Sequence, residues 1–260
     1  MSVHDFSTPT LVVRPVTLEG AVVRLEPLDL AHVDALAEVA LDDRLWQWNP
    51  WPVRSRDDLE AYVGTAVAGL ATGRMLPFAT IDLASGRPIG SSRLANISAD
   101  DFRAEIGWTW VGVPWQRTAV NSESKLLMLE HAFSNWGCHR VEFKTDSLNE
   151  QSRNALLGIG ATFEGIFRNH MVTESGRLRH SAYYSITDDD WPAVRGRLEA
   201  RVERLRARRP DAAPASEQNE AGADLPRPLT SDRRPLSLAD RSRPRGGSAR
   251  YIARIRCRPW

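Results

Sequence analysis

A strand-like run that enters a tight loop and then a helix is the part of this sequence best suited to chemistry. The run from Glu105 to Trp110 leads into residues 115–121, and the apolar spacing beyond Asn121 is that of a helix. Such a junction presents unpaired backbone N–H groups and the positive end of a helix dipole, which suit a pyrophosphate. Arg117 can add a positive charge, and Asn121 is predicted to be the N-cap. Most junctions of this type bind nothing, so these residues alone leave both interpretations open.

The segment from Glu105 to Phe133 resembles the acetyl-CoA motif of the GNAT superfamily, in particular the branch of the RimJ and RimL ribosomal-protein N-acetyltransferases. That superfamily's loop reads Q/R-x-x-G-x-G/A, and residues 116–121 occupy its places. The first place matches and both glycines are missing. A left-handed conformation of Ala119 would cost roughly 1 to 2 kcal/mol, so either the loop bends differently or the affinity for the cofactor is reduced. The resemblance implies acetyl-CoA as cosubstrate, contacted by Trp108, Thr109, Trp110, Gln116, Arg117, Thr118, Ala119, Val120, Asn121 and Asn149.

A second match lies downstream, where residues 149–152 and 160–161 resemble the superfamily's N-x-x-A/S helix and its later G-F pair. Many members carry a Tyr in this helix as the acid that protonates the departing thiolate, and Leu156 holds that place here. The resemblance makes Ser152 the substitute, with helix capping or packing as its alternative role. The whole resemblance covers about residues 17–187.

The implied reaction is direct attack of a neutral amine on a thioester carbonyl in a ternary complex. An α-amine with a pKa of about 8, or a lysine with a pKa of about 10.4, must first lose a proton. Glu105 matches the acidic residue of this branch's E-I-G-Y/W strand and is the candidate base, with a structural strand carboxylate as the alternative. Backbone N–H groups beyond Trp108 are expected to polarise the thioester oxygen. The acceptor is either a protein N-terminus or a small amine.

Aromatic side chains are expected to border the acceptor. Trp46, Trp48 and Trp51 stand in a loop between the first two predicted helices. They are predicted to line the substrate mouth, while a protein interface, including a homodimer, and a plug at the end of the sheet are the alternatives. Tyr183 and Tyr184 alternate on a late strand, so one faces the core and the other, assigned as Tyr183, can face the groove.

The surrounding periodicity predicts an α/β (α+β) domain with a mixed, mostly antiparallel sheet flanked by helices, which is the GNAT fold that the resemblance implies. A strand, two helices and a three-stranded meander come first, and helix, strand, helix and a hairpin follow. The predicted segments are an N-terminal extension (1–16), the GNAT domain (17–187), an amphipathic helix (188–209) that docks or binds a partner, and a Pro/Arg-rich tail (210–260) that is expected to be disordered.

Composition excludes several other classes. The chain has 34 basic and 33 acidic residues, which argues against a nucleic-acid or membrane partner, although the arginines from Arg241 onward keep a nucleic-acid role open for the tail. Cys138 and Cys257 have no reason to meet, so the cytoplasm is expected. No apolar stretch approaches a membrane span, and the histidines lack metal-ligand spacing. The alternative function is a CoA-binding sensor that has lost turnover.

Overall fold

The computed structural model describes residues 11–208 of the chain. Residues 1–10 of the predicted N-terminal extension, the predicted tail at 210–260 and Cys257 lie outside the described residues. Within the described part, Leu11 is buried, and Val13 and Val16 pack against the main core. This end of the extension therefore contributes apolar contacts to the domain.

Eight strands of the described region form one sheet in the order β1-β2-β3-β4-β5-β6-β8-β7. Their bounds are Leu18–Glu19 (β1), Val23–Pro27 (β2), Met75–Asp82 (β3), Arg87–Ser98 (β4), Arg103–Val111 (β5), Arg140–Asp146 (β6), Thr162–Val172 (β7) and Leu178–Thr187 (β8). Every neighbouring pair is antiparallel except β5 with β6. The mixed, mostly antiparallel sheet and its meander confirm the predicted fold class.

Helices cover both faces of this sheet. Their bounds are Val33–Ala40 (α1), Arg56–Ala71 (α2), Ala119–Glu130 (α3), Glu150–Ile159 (α4) and Trp191–Ala207 (α5). Helices α1 and α2 pack their apolar stripes on Ala79 and Ile81 of β3, whereas α3 and α5 share a cluster with Leu76 and Phe78. Alternate residues of β3 therefore face opposite helix layers, as the two-residue period of a strand requires.

The last helix docks on the domain. Its stripe of Trp191, Val194, Leu198 and Val202 is buried, and the Trp191 ring stacks on Phe133 at 5.3 Å. Asp190 occupies the N-cap position, but its side chain accepts hydrogen bonds from Thr187 and not from the helix. The described residues thus favour docking over a free partner surface for this stripe.

One parallel pairing sets the geometry of the candidate site. Strands β5 and β6 pair only over Arg103–Glu105 with Arg140–Glu142. Beyond this point β6 keeps its pairing with β8 and β5 keeps its pairing with β4, so the two strands diverge. An extra residue in β5 opposite Ser91–Arg93 of β4 and a positive φ of 50° at Trp108 bend β5 shortly after the point where it leaves β6. A gap therefore opens in the sheet immediately after Glu105.

Candidate active site

Two helix N-termini flank the gap between β5 and β6. Helix α3 follows the end of β5 through residues 112–118, and α4 follows the end of β6 after a turn in which the Asn149 N–H donates to the Asp146 carbonyl at 3.0 Å. Because the two strands are parallel, their carboxyl ends lie at one edge of the sheet, which is where open α/β sheets bind ligands. Thr109 is an exposed residue, so the β5 edge is accessible there.

The loop before α3 differs from the sequence prediction in two respects. Thr118, and not Asn121, is the N-cap: its hydroxyl accepts from the Val120 N–H at 3.3 Å and donates to the Trp115 carbonyl at 2.6 Å. Asn121 already lies in the first turn. The left-handed residue is Arg117, with φ of 61°, whereas Ala119 is helical. The N-cap prediction was wrong because the helix begins three residues earlier than Asn121 would place it, and the loop bends differently at Ala119, which is one of the two outcomes that the missing glycine predicted.

This loop is arranged for an anion. Within residues 11–208 the backbone N–H groups of Arg117 and Thr118 have no hydrogen-bond partner, and the first turn of α3 adds further unpaired N–H groups. Gln116 holds the loop to the strand by donating from Nε2 to the Val111 carbonyl at 3.1 Å. Arg117 itself is exposed and adds a positive charge to this loop. Backbone strain at Arg117 is of the kind that is retained at ligand sites.

The bend in β5 is held from both faces of the sheet. On the α2 side, the Tyr62 hydroxyl donates to the Trp108 carbonyl at 3.0 Å, and the guanidinium of Arg93 lies 4.2 Å from the Tyr62 ring. On the α3 side, Lys125 Nζ donates to the Thr109 hydroxyl at 2.7 Å. These contacts fix the direction of the β5 edge groups before any ligand binds.

Lys125 is an unusual residue for the helix interior. It is 5% exposed, and burial lowers the pKa of its amine to about 7. Its second polar neighbour, the hydroxyl of Ser92, lies 3.5 Å from Nζ and 2.6 Å from the Thr109 hydroxyl. Among the described residues no carboxylate pairs with this amine. Only the hydrogen bonds to two hydroxyl groups therefore offset the free-energy cost of burying this amine.

Glu105 lies at the origin of the gap. The side chain is 3% exposed, and Oε2 accepts from Asn96 Nδ2 at 2.8 Å and from Lys144 Nζ at 3.1 Å. Oε1 lies 2.9 Å from the place where a Cβ on Gly107 would stand, so a larger residue at that position would displace this carboxylate oxygen. Lys144 Nζ also lies 5.6 Å from the Trp108 ring. The arrangement holds a carboxylate with one oxygen free of hydrogen bonds in the described region.

The residues predicted at α4 take the following positions. The Asn149 side chain accepts from the Ser152 N–H at 3.0 Å and is the N-cap of the helix. The Ser152 hydroxyl makes no hydrogen bond within residues 11–208, whereas Leu156 is buried in the core. Gly160, which has φ of 96°, is the C-cap that follows the last residue of α4, Ile159. Ser152 is thus in the first turn of a helix at the gap, with its hydroxyl available to a ligand.

The predicted aromatic residues divide into core and surface. Trp46 is 3% exposed, its Nε1 donates to the Ala40 carbonyl at 2.6 Å, and its ring packs on Tyr62 and Trp110. This position corrects the prediction that Trp46 lines the mouth, because its indole is covered. Trp48 is half-buried and Trp51 is 59% exposed. The loop that carries them is tied to the β7–β8 turn, where the Glu174 N–H donates to the Pro50 carbonyl at 2.9 Å.

Tyr183 lies on the same sheet face as Glu105. It is half-buried and stands opposite Lys144 in the β6–β8 ladder, while Tyr184 is fully buried. Burial raises the pKa of Tyr183 to about 12, with a further contribution from the negative charge of Glu105. The phenol therefore stays protonated at neutral pH.

Sequence reasoning missed the partners that hold these residues: Asn96, Lys144, Tyr62, Arg93 and Lys125. Tyr62 was visible only as part of an apolar helix stripe. Asn96 has φ of 48°, and no pattern in the sequence identifies its contact with Glu105. These residues come from separate elements, so only the assembled sheet brings them to the site.

The described residues contain no group of three or more His, Cys, Asp or Glu side chains that could hold a metal ion. None of the helices between residues 11 and 208 combines the length and apolar character needed to cross a bilayer.

Comparison with known proteins identifies the family. A family model described as acetyltransferase (GNAT) domain matches residues 23–162. A GCN5-related N-acetyltransferase from Brucella melitensis superposes with a TM-score of 0.68 and 32% identity, over 73% of this chain and 86% of that chain. Mycobacterium smegmatis RimJ, solved in complex with CoA-disulfide, shares the fold with a TM-score of 0.64 and 24% identity, over 72% of this chain and 95% of that chain.

A GNAT-family acetyltransferase from Bacillus anthracis also shares the fold, with a TM-score of 0.58 and 18% identity, over 67% of this chain and 99% of that chain. No curated protein sequence is significantly similar to this chain. The family match covers more than half of the chain, and the gap, the loop and the two helix N-termini lie within it. This chain belongs to the GNAT acetyltransferase family and is an acyltransferase.

Proposed function

We propose that this protein transfers the acetyl group of acetyl-CoA to a primary amine, either a protein N-terminus or a small molecule, by direct attack in a ternary complex. The observation that carries the proposal is the free edge of β5 beyond Glu105, which runs toward unpaired N–H groups at the start of α3. A strand edge can bind the amide groups of the pantetheine arm, and a helix N-terminus can bind the pyrophosphate. The CoA-disulfide in the RimJ structure supports the same ligand here.

The proposed roles follow the direction in which protons and electrons must move. Glu105 removes a proton from the acceptor ammonium, directly or through a water molecule. The amine nitrogen then bonds to the thioester carbonyl carbon, and backbone N–H groups beyond Trp108 stabilise the charge that develops on its oxygen. When the C–S bond breaks, the Ser152 hydroxyl donates a proton to the thiolate, the attacking nitrogen gives up its second proton to the serine through water and becomes the neutral amide, and Glu105 releases its proton to solvent. Arg117 and the loop amides hold the diphosphate.

Two measurements test this proposal together. Calorimetry with CoA and acetyl-CoA measures binding, and thiol release from acetyl-CoA measures turnover with a panel of small amines and N-terminal peptides. We expect binding and amine-dependent release, with release reduced in Ser152→Ala. Ser152→Thr serves as the matched control, because it keeps a hydroxyl at the same position.

Binding without release for every amine would favour the CoA-binding sensor, and the absence of CoA binding would contradict the whole proposal.

We also expect the enzyme in the cytoplasm, since Cys138 is a buried free thiol whose pKa burial raises to about 12. A homodimer stays a prediction, which sedimentation of the full chain would test.

A further inference from the structure

Helix α5 carries more positive charge than the carboxylates around it neutralise. Between positions 191 and 208 the chain has six arginines and two glutamates. Glu199 pairs with Arg195, and Glu203 pairs with Arg206. Four arginines form no ion pair within residues 11–208: Arg197, Arg201, Arg204 and Arg208. The excess charge of this helix is therefore open to an anion.

The end of α5 lies near the start of α3, because the two helices run antiparallel. At the start of α5 the Trp191 ring stacks on Phe133, which follows α3 in the chain. Ten residues later, Arg201 Nε donates to the Ser122 hydroxyl at 3.0 Å. Ser122 stands four residues after the N-cap of α3, which is about 6 Å along the helix axis. The last turn of α5, which carries Arg204, is therefore level with the loop before α3.

Arg201 is oriented by the helices on both sides of it. Its Nε donates to Ser122 on α3, and its Nη1 donates to the Gly158 carbonyl on α4 at 3.3 Å. In the part of the chain that the structure describes, its Nη2 has no hydrogen-bond partner. A guanidinium that is already held in place loses little conformational entropy when it binds an anion.

An open groove of about 470 Å³ gives a ligand access to these arginines. It lies between α5 and the end of α4, and Arg197, Arg201 and Arg204 line it. The other lining residues include Gly196 and Ala200. Because these side chains are short, the guanidinium groups are not covered on the groove side. Arg204 is exposed at the end of the groove that is level with the loop before α3.

We propose that the end of α5 binds the 3′-phosphate of CoA, an inference that rests on the proposed function. This phosphate is on the ribose next to the pyrophosphate, so it extends only a short distance beyond the loop before α3. Arg201 and Arg204 bind it through charge-assisted hydrogen bonds, and Arg208 adds to the positive field. The helix that follows the catalytic domain thus discriminates between CoA and the same nucleotide without its phosphate monoester.

The test compares CoA with dephospho-CoA, which lacks only the 3′-phosphate. Each is titrated calorimetrically into the full chain. We expect CoA to bind about tenfold more tightly, the size of one charge-assisted hydrogen bond at a partly exposed site. Arg204→Gln and Arg201→Gln should each remove most of this preference, and Arg204→Gln should also raise the Michaelis constant for acetyl-CoA without changing kcat. Arg195→Gln is the matched control, because it removes the same charge from the other end of α5 and should retain the preference.

A purely structural role for these arginines gives a different result. Cations near a helix C-terminus stabilise it, and Arg201 contacts the end of α4. If that is their whole role, Arg201→Gln lowers the free energy of unfolding, the preference for CoA persists in both variants, and the inference is overturned. Arg204 has no printed contact with α3 or α4, so its variant tests binding without this loss of stability.

Two results separate this inference from the proposed function. Equal affinity of the natural chain for CoA and dephospho-CoA would overturn only the inference, because both compounds contain the pyrophosphate that the loop before α3 is proposed to hold. The absence of binding by either compound would remove the proposed function as well. Arg117→Ala should weaken the two compounds by the same factor, since it acts on the pyrophosphate that they share.

Discussion

Lys125→Met tests the reasoning about the site's interior most directly. Burial lowers the pKa of Lys125 from an unfolded value of 10.5 to about 7. Because the folded-state pKa is the lower one, the unfolded chain binds more protons between pH 7 and 10.5, and stability must rise with pH over that window. The protonated amine of Lys125 therefore destabilises the folded state fully below pH 7, and this destabilisation decreases as pH rises.

The magnitude follows from the two pKa values. Each pKa unit corresponds to about 1.4 kcal/mol, and the Lys125 contribution to the free energy of unfolding should increase by roughly 2 kcal/mol between pH 7 and pH 9. Methionine has a similar length and no charge, so Lys125→Met should lose this increase and be more stable than the natural protein at pH 7. The lost bond from Nζ to Thr109, 2.7 Å long, offsets part of that gain.

The assay is urea unfolding followed by tryptophan fluorescence at pH 7, 8 and 9. The quantity of interest is the difference in unfolding free energy between the natural chain and the variant at each pH, which cancels the titration of Cys138 and other groups. Thr109→Val is the matched control, because it removes the hydroxyl partner and keeps the amine, so the pH dependence should persist. If the natural chain and Lys125→Met show the same pH dependence, Lys125 is charged in the fold and the reasoning fails.

Three further predictions concern the reaction. Glu105→Gln should lower the rate most at low pH, where the acceptor amine most needs a base; a pH–rate profile of unchanged shape would remove Glu105 from the mechanism. Arg117→Ala should raise the Michaelis constant for acetyl-CoA more than that for the amine. Arg117→Gly should have the same kinetic effect but be more stable than the alanine variant by roughly 1 kcal/mol, because glycine relieves the left-handed strain. Equal stability of the two variants in denaturant titrations would contradict this. Tyr62→Phe removes the 3.0 Å hydrogen bond to the Trp108 carbonyl and keeps the ring beside Arg93. The variant should therefore have a free energy of unfolding about 1 kcal/mol lower and a lower kcat. An unchanged kcat would show that the bend in β5 does not need this bond.

Much of the fold was predictable because it depends on local patterns. The meander of β3, β4 and β5 follows from alternating apolar residues between turn residues, and α3 follows from the helical spacing of Leu126 and Leu129. The N-cap of α3 was not predictable from the sequence, because Thr118 and Asn121 are both good capping residues and stand three positions apart. Only the path of the loop, with its left-handed turn at Arg117, selects Thr118.

The sequence by itself determined the order of strands and helices, the strand-loop-helix junction and the family resemblance, because hydrophobic periodicity and motif spacing are properties of neighbouring residues. Tertiary structure alone decided that β5 and β6 part after Glu105, that Asn96 and Lys144 hold its carboxylate, and that Trp46 is covered. Those contacts join residues from different elements. Their free energies depend on how the sheet twists and packs against its helices, which no local pattern encodes.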